Sequence, residues 1–319
     1  MTSTPDGTGG MGRRVRWLAG QLLPPLIAEP IRRARHRNDP PPRAPGPTEA
    51  PEASASGGTP VPAEWEHLPG GWPENDPAIR GWEAASVADT MLARWPEFVA
   101  SMKGTGPFGL EDGEATPTVY DYGRHNTVVT FGYVLARVAA GRSALSMLDW
   151  GGGIGRYRVY AESLLPGVTL DYHCKELPLL ARAGREAQPD ATFHEDEASA
   201  LARRYDLVLA SGSLHYTRDW KAALERIAAV ADGYLFVTRQ PFVATAPSYV
   251  VVQRPYRFGY QTEYAGWFLN RDEFLEAARG FGLVLEREFL IDERPPVVGA
   301  PEPADYRGFL FRAPARAGA

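Results

Sequence analysis

The feature that most constrains this chain is the run Met147-Leu148-Asp149-Trp150-Gly151-Gly152-Gly153-Ile154-Gly155. An apolar stretch closes on an acid and passes straight into glycines, and Tyr157–Leu165 after it has helical spacing. Glycine accepts positive φ and lets backbone approach a ligand closely. A helix N-terminus offers unpaired N–H groups to negative charge. Strand, glycine turn and helix in that order form the opening unit of a parallel sheet that binds a small ligand beyond its strand ends. A dinucleotide fingerprint needs glycine at its first, third and sixth places. Counted from Gly151, the sixth place is Arg156, so the run reads D-x-G-x-G-x-G instead. Asp149, Gly151, Gly152, Gly153 and Gly155 are therefore the first candidate ligand-binding residues.

Downstream, strand and helix patterns alternate, as in a sheet covered by helices on both faces. Strands are predicted at Ser146–Trp150, Thr169–Cys174, Ala191–His194, Leu207–Ser211, Tyr234–Thr238, Leu283–Leu290 and Gly308–Phe311. Helices are predicted at Tyr157–Leu165, Leu179–Ala187 and Trp220–Ala231. A last helix starts at Asn270, which can cap it, with Glu273 at the capping-box place and Leu269 placed to staple onto Phe274. The aromatic stretch from Tyr249 to Phe268 reads as a long loop, and a loop of that length suggests a lid.

Upstream the composition changes twice. Residues 11–37 combine an apolar run with Arg13, Arg14, Arg16, Arg32, Arg33, Arg35 and Arg37. This fits an amphipathic segment lying on an anionic membrane or a partner protein, and equally a basic arm. The segment is assigned to 1–37. Residues 38–62 are rich in proline, alanine and glycine and cannot offset their ordering entropy by burial, so a disordered linker is expected. Residues 63–142 read as a helical cap region, and 143–319 as the ligand-binding domain. The run Trp17–Ala28 is too short to span a membrane and contains Pro24-Pro25. One cysteine, Cys174, excludes an internal disulfide and fits a reducing cytoplasm, with contact to the inner face of the membrane through 11–37. The net charge of −5 gives no reason to expect nucleic acid. The 6 histidines show no metal-ligand spacing, so no metal site is expected.

Three further strand ends carry candidates. Glu176 follows the second strand about 20 residues after Gly155, the offset that brings a carboxylate beside the glycine loop to accept ribose hydroxyls; Asp171 lies at the wrong end of that strand. Asp196, in Phe193-His194-Glu195-Asp196, could meet a base amino group. Ser211 and Gly212 end the fourth strand, beside strand one, and deliver His215 to the crevice where two reactants would meet. An imidazole there could remove a proton from a hydroxyl.

Together these motifs resemble a family of class I methyltransferases associated with bacterial polysaccharide and surface-glycan genes. The resemblance rests on Leu23-Pro24-Pro25, Trp82-Glu83-Ala84, Leu148–Gly155, Ala210-Ser211-Gly212-Ser213-Leu214 and Phe268-Leu269-Asn270-Arg271-Asp272-Glu273-Phe274. It implies a doubly wound, mostly parallel, seven-stranded Rossmann-like sheet preceded by helices. It implies S-adenosyl-L-methionine as cofactor, with Gly151, Gly153 and Gly155 at its methionine end and Glu176 at its ribose, and a small-molecule or glycan acceptor methylated at oxygen. Position 215 departs from the pattern, which has glutamine there. A nicotinamide-dependent sugar oxidoreductase and a non-catalytic module retaining the same fold are the alternatives.

Overall fold

The computed structural model describes residues 62–74, 76–108 and 122–314. The basic segment expected over 1–37, and all but Pro62 of the linker expected over 38–62, lie outside the described residues. The elements are β1 (Trp65–His67), α1 (Ala85–Ser101), α2 (Tyr122–Val138), β2 (Ala144–Trp150), α3 (Arg156–Leu164), β3 (Thr169–Lys175), α4 (Pro178–Ala187), β4 (Thr192–His194), the one-turn α5 (Glu197–Ala200), β5 (Tyr205–Ser211), α6 (Trp220–Val230), β6 (Ala231–Val243), β7 (Tyr249–Gln253), β8 (Tyr264–Asn270), α7 (Arg271–Gly280), β9 (Val284–Leu290) and β10 (Asp305–Arg312).

The main sheet runs β4-β3-β2-β5-β6-β10-β9. Its first five strands are mutually parallel, and β10 lies antiparallel to both β6 and β9. This is the doubly wound, seven-stranded arrangement implied by the sequence. β2 shows why it forms: Leu145, Met147, Leu148 and Trp150 are all buried, so apolar residues point to both faces, as a central parallel strand requires. One face packs on α6 and α7 through Trp220, Leu224, Ile227 and Phe274. The other packs on α2, α3 and α4 through Phe131, Leu135, Tyr157 and Ala181. No helix among the described residues is long and apolar enough to cross a membrane.

A second, antiparallel set branches from the end of β6, which extends well past the predicted Tyr234–Thr238. Phe242 and Val243 pair with Leu269 and Asn270 of β8, β8 pairs with β7, and β7 with β1. The aromatic stretch from Tyr249 to Phe268 is therefore not one long lid. Its two ends are strands, because Tyr249, Val251 and Phe268 bury themselves with Trp65 in a separate cluster. Only 254–263 connects them, with one 3₁₀ turn at Tyr256–Phe258.

The capping prediction at α7 is half realised. Asn270 Oδ1 accepts from the N–H groups of Asp272 and Glu273 at 3.0 and 3.1 Å. Glu273 does not reach back. It accepts from Ser248 Oγ and pairs with Lys221, while Ser248 Oγ takes the Asn270 N–H. Ser248 thus fills the place that the capping-box glutamate was expected to hold.

Candidate active site

The carboxyl ends of β2, β5 and β6 open onto a cavity of about 910 Å³. Its floor is the glycine turn. Gly151, Gly153 and Gly155 have φ of 69°, 61° and 88°, all left-handed, so the turn needs glycine at those places. Among the bonds that hold it are Gly151 N–H to the Lys175 carbonyl at 2.9 Å, Ser213 Oγ–H to the Trp150 carbonyl at 2.6 Å, and Gln188 Nε2 to the Ile154 carbonyl at 2.6 Å. Gly151, Gly152 and Gly153 line the cavity; Gly155 stands behind them as the N-cap of α3.

Asp149 lies under this turn rather than in the cavity wall. It is fully buried and accepts a 2.7 Å hydrogen bond from Tyr172. Burial pushes its pKa up to about 7. A Cβ on Gly152 would stand 2.3 Å from the Asp149 carboxyl, so the pair is packed as one unit. The acid shapes the loop from below.

Glu176 does line the cavity. It follows β3 and is 8% exposed, and Gly153 N–H and Leu177 N–H donate to its two oxygens. Its pKa is also raised to about 7, burial outweighing those two bonds. Ser211 and Gly212 line the cavity too, Ser211 Oγ bonding Tyr157 Oη at 2.6 Å and Gly212 adopting φ 59°.

His215 sits in a 3₁₀ turn after β5, 1% exposed. Its Nδ1 is 3.3 Å from Gln240 Oε1, and its buried Nε2 has no protein partner. Burial lowers its pKa to about 3. The ring is therefore neutral at physiological pH, with Nδ1–H donated to Gln240 and the Nε2 lone pair left over.

Asp196 is placed elsewhere. Its carboxylate caps α5, accepting from Ser199 N–H at 2.8 Å, and it is absent from the cavity lining. Its acid is consumed by local backbone, as a residue preceding a helix often is.

Further residues line the cavity, among them Trp82 from the resemblance motif and Tyr260 and Tyr264 from the stretch expected to be a lid. Trp82 lies flat on Tyr264, centroids 4.3 Å apart at 4°, and with Tyr216 and Tyr260 makes an aromatic wall. Met91, Arg94 and Phe98 of α1 line the cavity beside Gly153. Arg239 pairs with Glu293 through two bonds, 3.0 and 3.2 Å. Tyr157 stands two residues after Gly155, close enough to the glycine turn for its place to be legible in sequence. Arg239 and Glu293 are 54 residues apart, with no local pattern linking them.

A family profile described as a methyltransferase domain matches residues 124–288, which contain the glycine turn, Glu176 and His215. The chain belongs to the methyltransferase-domain family. Among solved structures, this methyltransferase is similar to magnesium protoporphyrin IX methyltransferase from Synechocystis PCC 6803, solved with bound SAH, at 15% identity and TM-score 0.42, over 72% of this chain and 98% of that one. It is also similar to 1,6-didemethyltoxoflavin-N1-methyltransferase from Burkholderia thailandensis, at 18% identity and TM-score 0.38, over 63% and 94%. No curated protein matches the chain.

Proposed function

We propose that this methyltransferase uses S-adenosyl-L-methionine to methylate a hydroxyl of a small-molecule or glycan acceptor. The observation that carries this reading is a left-handed glycine turn and the Glu176 carboxylate opening on the same cavity as His215. The donor set fits the cofactor. Glu176 can accept two ribose hydroxyls, glycine backbone can approach the methionine end, and Met91, Leu177 and Leu180 offer an apolar slot. When bound, the cofactor supplies a methyl group on a positively charged sulfur that leaves without needing acid assistance. The chain's own task is then to orient the nucleophile, an effect worth roughly 7–11 kcal/mol at best.

His215 lines the cavity while its Nε2 is a buried lone pair without a protein partner, and we assign that atom as the one that would accept a hydroxyl proton once the acceptor is bound. A pKa near 3 makes it a weak base. A hydroxyl oxygen bearing a new methyl group is a far stronger acid, so Nε2 can take its proton as the carbon–oxygen bond forms. The aromatic wall of Trp82, Tyr260 and Tyr264 supports an acceptor with a flat or sugar-ring face.

Calorimetric titration with S-adenosylhomocysteine tests the cofactor assignment; the expected result is one site per chain, and no heat at millimolar ligand would defeat it. For His215, NMR of histidine-labelled protein should show one imidazole that stays neutral from pH 8 down to 4, identified by its loss in His215→Gln. A His215 signal titrating near 6.5 would sink the buried-acceptor role.

A further inference from the structure

Asp149 keeps one oxygen unused. The residue is fully buried; Tyr172 Oη–H donates to its Oδ2, while Oδ1 has no hydrogen-bond partner among the described residues. A buried polar atom without a partner is uncommon and calls for a reason. The surrounding elements do not supply one. β3 brings Tyr172 and Cys174 against it, the segment after β3 brings Glu176, α3 brings Tyr157, and β5 brings the apolar Leu209. Burial holds the two tyrosines and the thiol neutral, so Glu176, a second acid, is the charged group that bears on Asp149. Lys175, the nearest cation in sequence on β3, lies over the Trp150 ring at 5.1 Å. Burial first, and the charge of Glu176 after it, raise the Asp149 pKa to about 7 against the pull of the Tyr172 bond.

The position of this acid matters as much as its state. Gly152 lines the cavity, and the Asp149 carboxyl fills the space that a side chain on Gly152 would take. Its charge, when present, is held just behind the cavity wall, where little water screens it. The methyl donor and the product left behind share the same ammonium, carboxylate and ribose, and differ by one methyl group and one positive charge on sulfur. An opposite charge nearby favours an ionised carboxyl, and a neutral thioether does not. We propose that Asp149 distinguishes donor from product: it is ionised beneath S-adenosylmethionine and takes a proton back from solvent once the sulfur is neutral, so that the product is held less tightly than the donor. The residue acts through the glycine turn rather than by contact. The proposal rests on the cofactor assignment made above, and it gives the turn a part in product release.

The sign of the pH effect follows. Well below pH 7 Asp149 is protonated in the free protein, and donor binding must expel that proton; above pH 7 the carboxyl is already ionised. The shared ammonium, and Glu176 at the shared ribose, act on both ligands, so the ratio of the two affinities isolates the sulfur. The test is calorimetric titration of the full-length protein with S-adenosylmethionine and, separately, S-adenosylhomocysteine from about pH 5.5 to about pH 8. The preference for donor over product is expected to grow at least about fivefold across that range, and to vary by less than about twofold in Asp149→Asn. Glu176→Gln should keep the growth. A wild-type preference that is flat with pH overturns the proposal, as does growth that survives in Asp149→Asn or disappears in Glu176→Gln. Should Asp149→Asn not fold, wild type and Glu176→Gln still decide. Binding of neither ligand at any pH overturns the cofactor assignment instead, so the two failures are distinguishable.

Discussion

Glu176→Ala is expected to weaken S-adenosylhomocysteine binding by roughly 100-fold. Hydrogen bonds to a charged group contribute about 1.5–3 kcal/mol each, and two ribose hydroxyls would lose theirs. Part of that is offset, because the carboxylate already holds two backbone N–H groups in the free protein. The effect should also depend on pH in a direction that can be worked out. With its pKa near 7 in the free protein, Glu176 is largely protonated at pH 6. Ribose hydroxyls favour the charged form, so binding expels a proton, and affinity should rise with pH up to about 7 and then level. Titrations at pH 6 in buffers of different ionisation enthalpy should report proton release. Its absence, with wild-type affinity retained by the variant, would remove the carboxylate from the ribose site. The same raised pKa predicts that ligand-free stability falls as pH climbs from 4.5 towards 7, because the folded state holds the proton more tightly than the unfolded chain. Asp149 adds to this in the same direction.

Gly155→Ala is expected to cost about 2–4 kcal/mol of stability and to abolish ligand binding. At φ 88° an added Cβ costs about 1–2 kcal/mol from backbone sterics alone. The new atom would also stand 2.3 Å from Gln188 Nε2 and 3.2 Å from Phe193 Cζ. Moving Gln188 breaks its bonds to the Ile154 and Gly155 carbonyls, which anchor the turn. Gly167→Ala is the control: nothing lies within 4 Å of its added Cβ. Chemical denaturation of both variants decides the matter. Equal stability would mean that the turn tolerates a side chain and is not the rigid cradle described above.

The parts of this molecule that sequence could show are those written in local pattern. β2, α3, β3 and Glu176 follow from apolar runs, glycine spacing and a fixed offset, and all stand where those signals put them. Asp149 and Asp196 were expected at the ligand because acids end strands there, but each has a local partner, Tyr172 for one and the α5 backbone for the other. Local capping and a buried strand-to-strand hydrogen bond look the same in sequence as an acid aimed at a ligand. The aromatic stretch misled for another reason: tyrosines and valines on a strand facing β1 and β8 carry the same residue types as a lid. Arg239 and Glu293 were invisible, since only the return of the chain after β9 brings them together.

β6 has a mechanical consequence for traffic through the enzyme. The one strand pairs with β5 beside the glycine turn and, at its far end, with β8, whose Tyr264 backs Trp82. Platform and aromatic panel are thus riveted to a common beam, and neither can swing without tearing a ladder of backbone bonds. Among the described residues, α1 and the 254–263 connection line the same cavity without belonging to a strand, so reactants are expected to pass on that side.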